Sequence, residues 1–221
     1  MRNIRIAPDE HYHLFNRGMI KQNIFLDKND YSRFLFLILY FQSPVTIPHP
    51  KRFIKSFVQH SVFDISVEEK QKIIKNRYVE LVSFCLMPNH FHLIIREVKE
   101  GGISKYMQRV LNSYTKYFNK RYEKSGHLFQ GPYKAVHIKD DNHLLYLSTY
   151  IHKNPTELNQ WKGKEKTYIW SSYQDYGEKN RFSDLLVLDV VSEQFENITD
   201  YEYFVQTSTA KTIREKLDDI D

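Results

Sequence analysis

At 221 residues with 41% hydrophobic side chains, the chain is long enough for one well-cored domain with additions and short for two. One cysteine, Cys85, excludes an internal disulfide and fits a reducing compartment; a polar start and no apolar run longer than 34–41 argue against a signal peptide and a membrane span, so a cytoplasmic protein is expected. The formal charge of +5 is unevenly spread: residues 182–221 carry ten acidic and three basic side chains, a net of −7, which leaves +12 on residues 1–181 and suits that body to a polyanion.

Residues 11–17 read as a first strand, closed by the turn-like Asn16-Arg17-Gly18. It carries a spaced pair, His11 and His13, with no tight turn before it, and a metal role is not assigned there. Asp27 or Asn29 caps a helix running to about Phe41, with Phe34, Leu37, Ile38 and Phe41 on one core-facing stripe. Residues 43–50 hold three prolines and form a loop. Residues 51–77 mix seven basic side chains with scattered apolar ones and include a short helix after Ser66. The span 43–77 is treated as an insertion, serving either as a nucleic-acid contact or as decoration.

A β-rich stretch, 78–87, turns at Pro88-Asn89 into a strand over 90–98, giving a hairpin. On that second strand, alternation puts His90 and His92 on one face and Phe91, Leu93 and Ile95 on the other. The two imidazoles sit about 7 Å apart at Cα, close enough to share one metal ion. After Gly101-Gly102 a long helix follows, with Ser104 as a candidate cap and a wide apolar face that includes Met107, Val110, Tyr114 and Phe118. Its other side is basic, and Lys105, Arg109 and Lys116 are candidate phosphate contacts.

Ser125-Gly126 ends that helix, a short strand occupies 133–138, and Asp140 or Asp141 caps another helix that stops where Asn154 meets Pro155. On this helix Tyr146, Tyr150 and Asn154 fall at i, i+4 and i+8, one above another. Structure resumes at Trp170-Ser171-Ser172-Tyr173, and the acidic tail is expected to end in a helix from about Lys211. That tail could shield the basic body, pack on it or remain solvated.

Two neutral imidazoles and an amide oxygen can bind a divalent ion without adding negative charge, which leaves the ion's charge for a phosphate. A phenol is a weak nucleophile at its ordinary pKa of about 10, and a nearby metal favours the phenolate. Such an attack on a phosphodiester retains the bond energy in a phosphotyrosine ester, so the strand can later be rejoined. Tyr146, one turn before Tyr150, is the nearest rival nucleophile.

Met87-Pro88-Asn89-His90-Phe91-His92 resembles the His-hydrophobic-His motif of single-tyrosine HUH transposases. The stretches 126–131, Tyr133-Lys134-Ala135, Tyr150-Ile151-His152-Lys153-Asn154-Pro155 and Trp170-Ser171-Ser172-Tyr173 are similar to later blocks of the branch related to REP-associated tyrosine transposases, and 11–18 resembles the family's opening strand and turn. The resemblance spans about residues 10–177. It implies a ferredoxin-like or RRM-like α+β fold, an antiparallel sheet with helices packed on it and a helix carrying the catalytic tyrosine. It further implies His90, His92 and Asn154 as metal ligands for Mg2+ or Mn2+, Tyr150 as nucleophile, and Arg17 and Lys134 as phosphate contacts. The implied substrate is single-stranded DNA, often with a hairpin, and the implied assembly is a monomer or a homodimer.

The 43–77 insertion, the Thr156-Glu157-Leu158-Asn159 continuation and the acidic extension over 178–221 depart from the family pattern. The competing expectation is an RRM-like single-stranded nucleic-acid-binding module without catalysis. A metallonuclease that uses water, or a structural zinc site, ranks below it.

Overall fold

β1 (His11–Arg17) alternates apolar and polar residues so that Tyr12 and Leu14 enter the core while His13 and Phe15 face the opposite side of the sheet. The computed structural model describes residues 5–177 and 179–209. β2 (Val79–Met87) and β3 (His90–Glu97) form the expected hairpin, and β4 (Lys134–His137) completes a four-stranded antiparallel sheet in the order β2-β3-β1-β4. With α1 (Lys28–Tyr40) between β1 and β2, and α4 (Gly102–Arg121) between β3 and β4, the chain traces the βαββαβ path of a ferredoxin-like fold.

α1 and α4 cover one face of the sheet. Phe34 packs on Phe91 of β3 with ring centroids 4.9 Å apart, and Tyr114 of α4 meets Phe34 edge-on at 5.0 Å. Asp27 caps α1 by accepting from the amides of Asn29 and Asp30. The N-terminus of α4 departs from expectation, because Gly101 takes the N-cap position and Ser104 lies exposed inside the first turn. Instead the fully buried Glu97, at the end of β3, accepts from the amides of Gly101 and Ile103 at 2.7 Å each. A carboxylate at a helix N-terminus answers both the orphaned amides and the positive end of the helix.

Residues 43–77 form a second layer over α1. α2 (Pro50–His60) and α3 (Val67–Asn76) are amphipathic, and Phe53 and Phe57 of α2 pack against Phe36, Phe63 and Trp170. This covering explains why the whole run from Phe34 to Tyr40 is buried, where a single stripe was expected.

α5 (Asp141–Lys153), capped by Asp140, lies on the other face, against β2 and β3. As expected, α5 ends where Asn154 meets Pro155, with Asn154 as its C-cap, and the chain then tightens into a 3-10 turn, Asn154–Glu157. The acidic extension packs onto this layer. The short helix α6 (Asp189–Ser192) and the longer α7 (Ile198–Thr207) follow a segment held to the body by Gln42 Nε2 donating to Leu185 O at 2.7 Å and by Val187 N donating to Leu81 O at 2.9 Å. Arg181 forks onto Asp175 at 2.6 and 2.8 Å, so contacts run straight across residue 177. The helix expected from about Lys211 lies outside the described residues. No helix among the described residues is long and apolar enough to cross a membrane.

Candidate active site

The β2–β3 turn is held by the segment that follows β1. Gly18 N donates to Asn89 O at 2.8 Å, Ile24 N donates to Pro88 O at 2.8 Å, and Asn89 Nδ2 donates to Lys21 O at 3.3 Å. A Cβ at Gly18 would meet Gln22 O at 2.1 Å, so only glycine allows this close return of the chain. The Asn89 amide is thereby oriented with Oδ1 toward the His90 ring, and His90 Nδ1 lies 2.7 Å from it. An amide oxygen only accepts, so the His90 proton sits on Nδ1 and the Nε2 lone pair is presented elsewhere.

That nitrogen meets Asn154. Asn154 is 1% exposed, and its Nδ2 donates to Tyr150 O at 2.8 Å, which turns Oδ1 toward His90 Nε2 at 3.5 Å. With the His90 proton on Nδ1, two acceptors face one another, an arrangement that a cation between them would satisfy. Two ligands of one ion with bonds of about 2.1 Å can be at most about 4.2 Å apart, and 3.5 Å falls inside that reach. The His92 ring stands 5.0 Å from that of His90, and the Tyr150 ring meets His92 edge-on with centroids 5.5 Å apart. His90, His92 and Tyr150 line one pocket, and the donor set of two imidazoles and an amide oxygen fits a divalent cation. Among the described residues no three His, Cys, Asp or Glu side chains form a metal-holding cluster.

The rival Tyr146 is 44% exposed and leans on Phe204 of α7 at 5.8 Å, outside that pocket. Arg17 and Lys134 line the pocket, and Lys134 Nζ stands 5.5 Å over the Phe15 ring. Lys105 and Lys116 line a separate groove between α4 and residues 127–133, and Pro132 borders both cavities. Arg109 lies elsewhere: its guanidinium donates to Ser43 O and to Tyr78 OH and stacks on Phe41 at 4.4 Å. It holds the loop after α1, so its expected role in phosphate contact is withdrawn.

Asn89, Lys21, Gln130, Glu157 and His13 were not given roles from the sequence, yet the first four line the pocket and His13 bonds to His92. The Pro-Asn-His motif itself marks Asn89. Lys21 and Gln130 carry no local signal: the 3-10 turn after β1 places Lys21, and Gln130 N donating to Arg17 O at 2.9 Å places Gln130.

Behind the site α5 is anchored by its next inward residue. His152 is fully buried; its Nε2 lies 2.8 Å from Ser172 Oγ and 3.0 Å from Ser83 Oγ, and its Nδ1 lies 2.6 Å from Tyr201 OH on α7. Burial pushes its pKa down to about 3, so the ring is neutral.

Fold and site together define a ferredoxin-like α+β protein in which a His-x-His strand faces a tyrosine-bearing helix. Residues 50–154 match the family model described as "Transposase IS200 like". A solved structure of the REP-associated tyrosine transposase bound to a REP hairpin aligns with a TM-score of 0.50 at 13% identity, covering 79% of this chain and 84% of that one, a likeness of fold. No curated protein matches the chain.

Proposed function

We propose that this chain is a transposase that cuts and rejoins single-stranded DNA through a 5′-phosphotyrosine bond to Tyr150, with Mg2+ or Mn2+ held by His90, His92 and Asn154. The observation that carries the reading is the pair of facing acceptors, His90 Nε2 and Asn154 Oδ1, 3.5 Å apart beside the Tyr150 ring. When bound, the cation supplies a Lewis acid that offsets charge on the scissile phosphate.

The chain's own residues do the rest. Tyr150 Oη attacks phosphorus, the bond to the 3′ oxygen breaks, and the phenol's proton balances the departing 3′-hydroxyl. Attack by a 3′-hydroxyl on the same ester reverses the exchange. The α5 backbone fixes both the nucleophile and Asn154, because Asn154 bonds to the carbonyl of Tyr150 itself. Arg17, Lys21 and Lys134 at the pocket wall offset phosphate charge, and Lys105 and Lys116 extend the basic track along α4. A hairpin-bearing strand is the expected substrate, in keeping with the hairpin bound to the protein of similar fold.

The test uses labelled DNA hairpins with Mg2+ or Mn2+. The reading expects a denaturation-resistant protein–DNA adduct with the wild type, absent in Tyr150→Phe and strongly reduced in His90→Ala. Cleavage without an adduct would replace it with hydrolysis by water. Binding without cleavage would leave a nucleic-acid-binding module.

A further inference from the structure

His13 lies outside the proposed ligand set, on the strand beside β3. The β1–β3 register pairs Phe15 with His92 and His13 with Ile94, so the His13 ring is the diagonal neighbour of His92 on the site face of the sheet. The two rings lie 19° from parallel with centroids 5.1 Å apart, and His13 Nε2 is 2.8 Å from His92 Nδ1. Phe15 stacks against both, at 4.7 and 5.8 Å. His13 is 5% exposed and His92 6%, so neither ring has bulk water as its principal partner.

A 2.8 Å contact between two imidazole nitrogens needs one proton between them. If His13 donates, the His92 proton must sit on Nε2, which then has no lone pair for a cation. If His92 donates from Nδ1, its Nε2 becomes a ligand atom. We propose that His13 is a positioning residue for His92, accepting its Nδ1 proton and so fixing both the tautomer and the ring angle that a cation at Nε2 requires. The proposal rests on the reading of His90, His92 and Asn154 as a cation site. It gives the two histidines parallel supports: Asn89 Oδ1 takes the Nδ1 proton of His90 at 2.7 Å, and His13 Nε2 takes that of His92 at 2.8 Å. Such outer partners orient metal-binding imidazoles and, when removed, cost roughly 10–100-fold in metal affinity. Asn89 is bound to the motif in sequence, whereas His13 reaches the site only through strand pairing.

The experiment combines Mn2+ titration followed by electron paramagnetic resonance with 15N imidazole spectra of the metal-free chain. The variants are His13→Gln, whose amide oxygen can accept the proton, and His13→Leu, which cannot. The expected result is wild-type Mn2+ binding that His90→Ala abolishes and His13→Leu weakens by roughly 10–100-fold, with His13→Gln near wild type. In parallel, His92 is protonated on Nδ1 in the wild type and shifts toward Nε2 in His13→Leu. A purely structural role for His13 would not move the tautomer. His90-dependent binding that His13→Leu leaves unchanged would overturn the role of His13 and leave the cation site standing. Absence of His90-dependent binding in the wild type would overturn both. Should the leucine variant fail to fold, a nitrogen–nitrogen coupling across the His92–His13 bond in the Mg2+-loaded wild type supports the proposal, and a His92 Nδ1 proton without that coupling overturns it.

Discussion

Tyr201→Phe removes one hydroxyl from the contact between α7 and α5. That hydroxyl lies 2.6 Å from His152 Nδ1 and 3.3 Å from Ser148 Oγ, and all three residues are buried. The phenylalanine ring keeps the packing of Tyr201 on Tyr176 at 5.1 Å and on Phe195 at 5.2 Å, so the loss is polar and opens little space. His152 Nε2 is already used by Ser83 and Ser172, and the ring as a whole is fully buried. Leaving one buried polar atom without its partner costs about 1–3 kcal/mol. For a chain of this length each kcal/mol lowers the melting temperature by about 2–4 °C, so a drop of roughly 2–12 °C is expected. Urea and thermal unfolding followed by circular dichroism measure it. A change below about 0.3 kcal/mol would refute the reasoning that the acidic extension is fastened to α5 through this hydroxyl.

The same histidine sets an acid limit. Its folded pKa, lowered from 6.5 to about 3 by burial, means that the unfolded chain takes up a proton first as pH falls. Its contribution is therefore fully present above about pH 6.5 and is lost toward pH 3 at about 1.4 kcal/mol per pH unit. His152→Gln should flatten the acid limb of stability against pH by up to that slope, and identical limbs would contradict the assignment. At the other end of the sheet, Glu97→Ala strips the cap from α4 and takes the acceptor from one buried amide, Ile103, and one half-buried amide, Gly101. A loss of about 2–4 kcal/mol is expected, with faster hydrogen exchange confined first to residues 101–105.

What the sequence revealed was local. The Asp27 cap, the Pro88-Asn89 hairpin, the alternation of His90 and His92, and the i, i+4 spacing of Tyr150 and Asn154 each depend on neighbours within one or two turns, and each is present in the structure. What it concealed was set by distant pairing. His13 meets His92 across 79 residues, and although His11 and His13 share one face of β1, nothing in their spacing shows which of them lies beside His92. Glu97 was missed because the carboxylate precedes the helix from the end of a strand, outside any capping-box spacing. Arg109 was misassigned because a basic helix face looks the same whether it meets phosphate or, as here, the Ser43 carbonyl and the Phe41 ring. The charge of the acidic extension left open whether it shields the body, packs on it or stays solvated; the burial of Leu185, Val191, Tyr201 and Val205 shows that it packs.

The most direct measurement is to map the covalent bond. After reaction with a DNA hairpin, trypsin cleavage following Lys139 and Lys153 releases a peptide that contains both Tyr146 and Tyr150. Fragmentation of that peptide in a mass spectrometer is expected to place the nucleotide on Tyr150. A nucleotide on Tyr146, or on a tyrosine outside α5, would contradict the account.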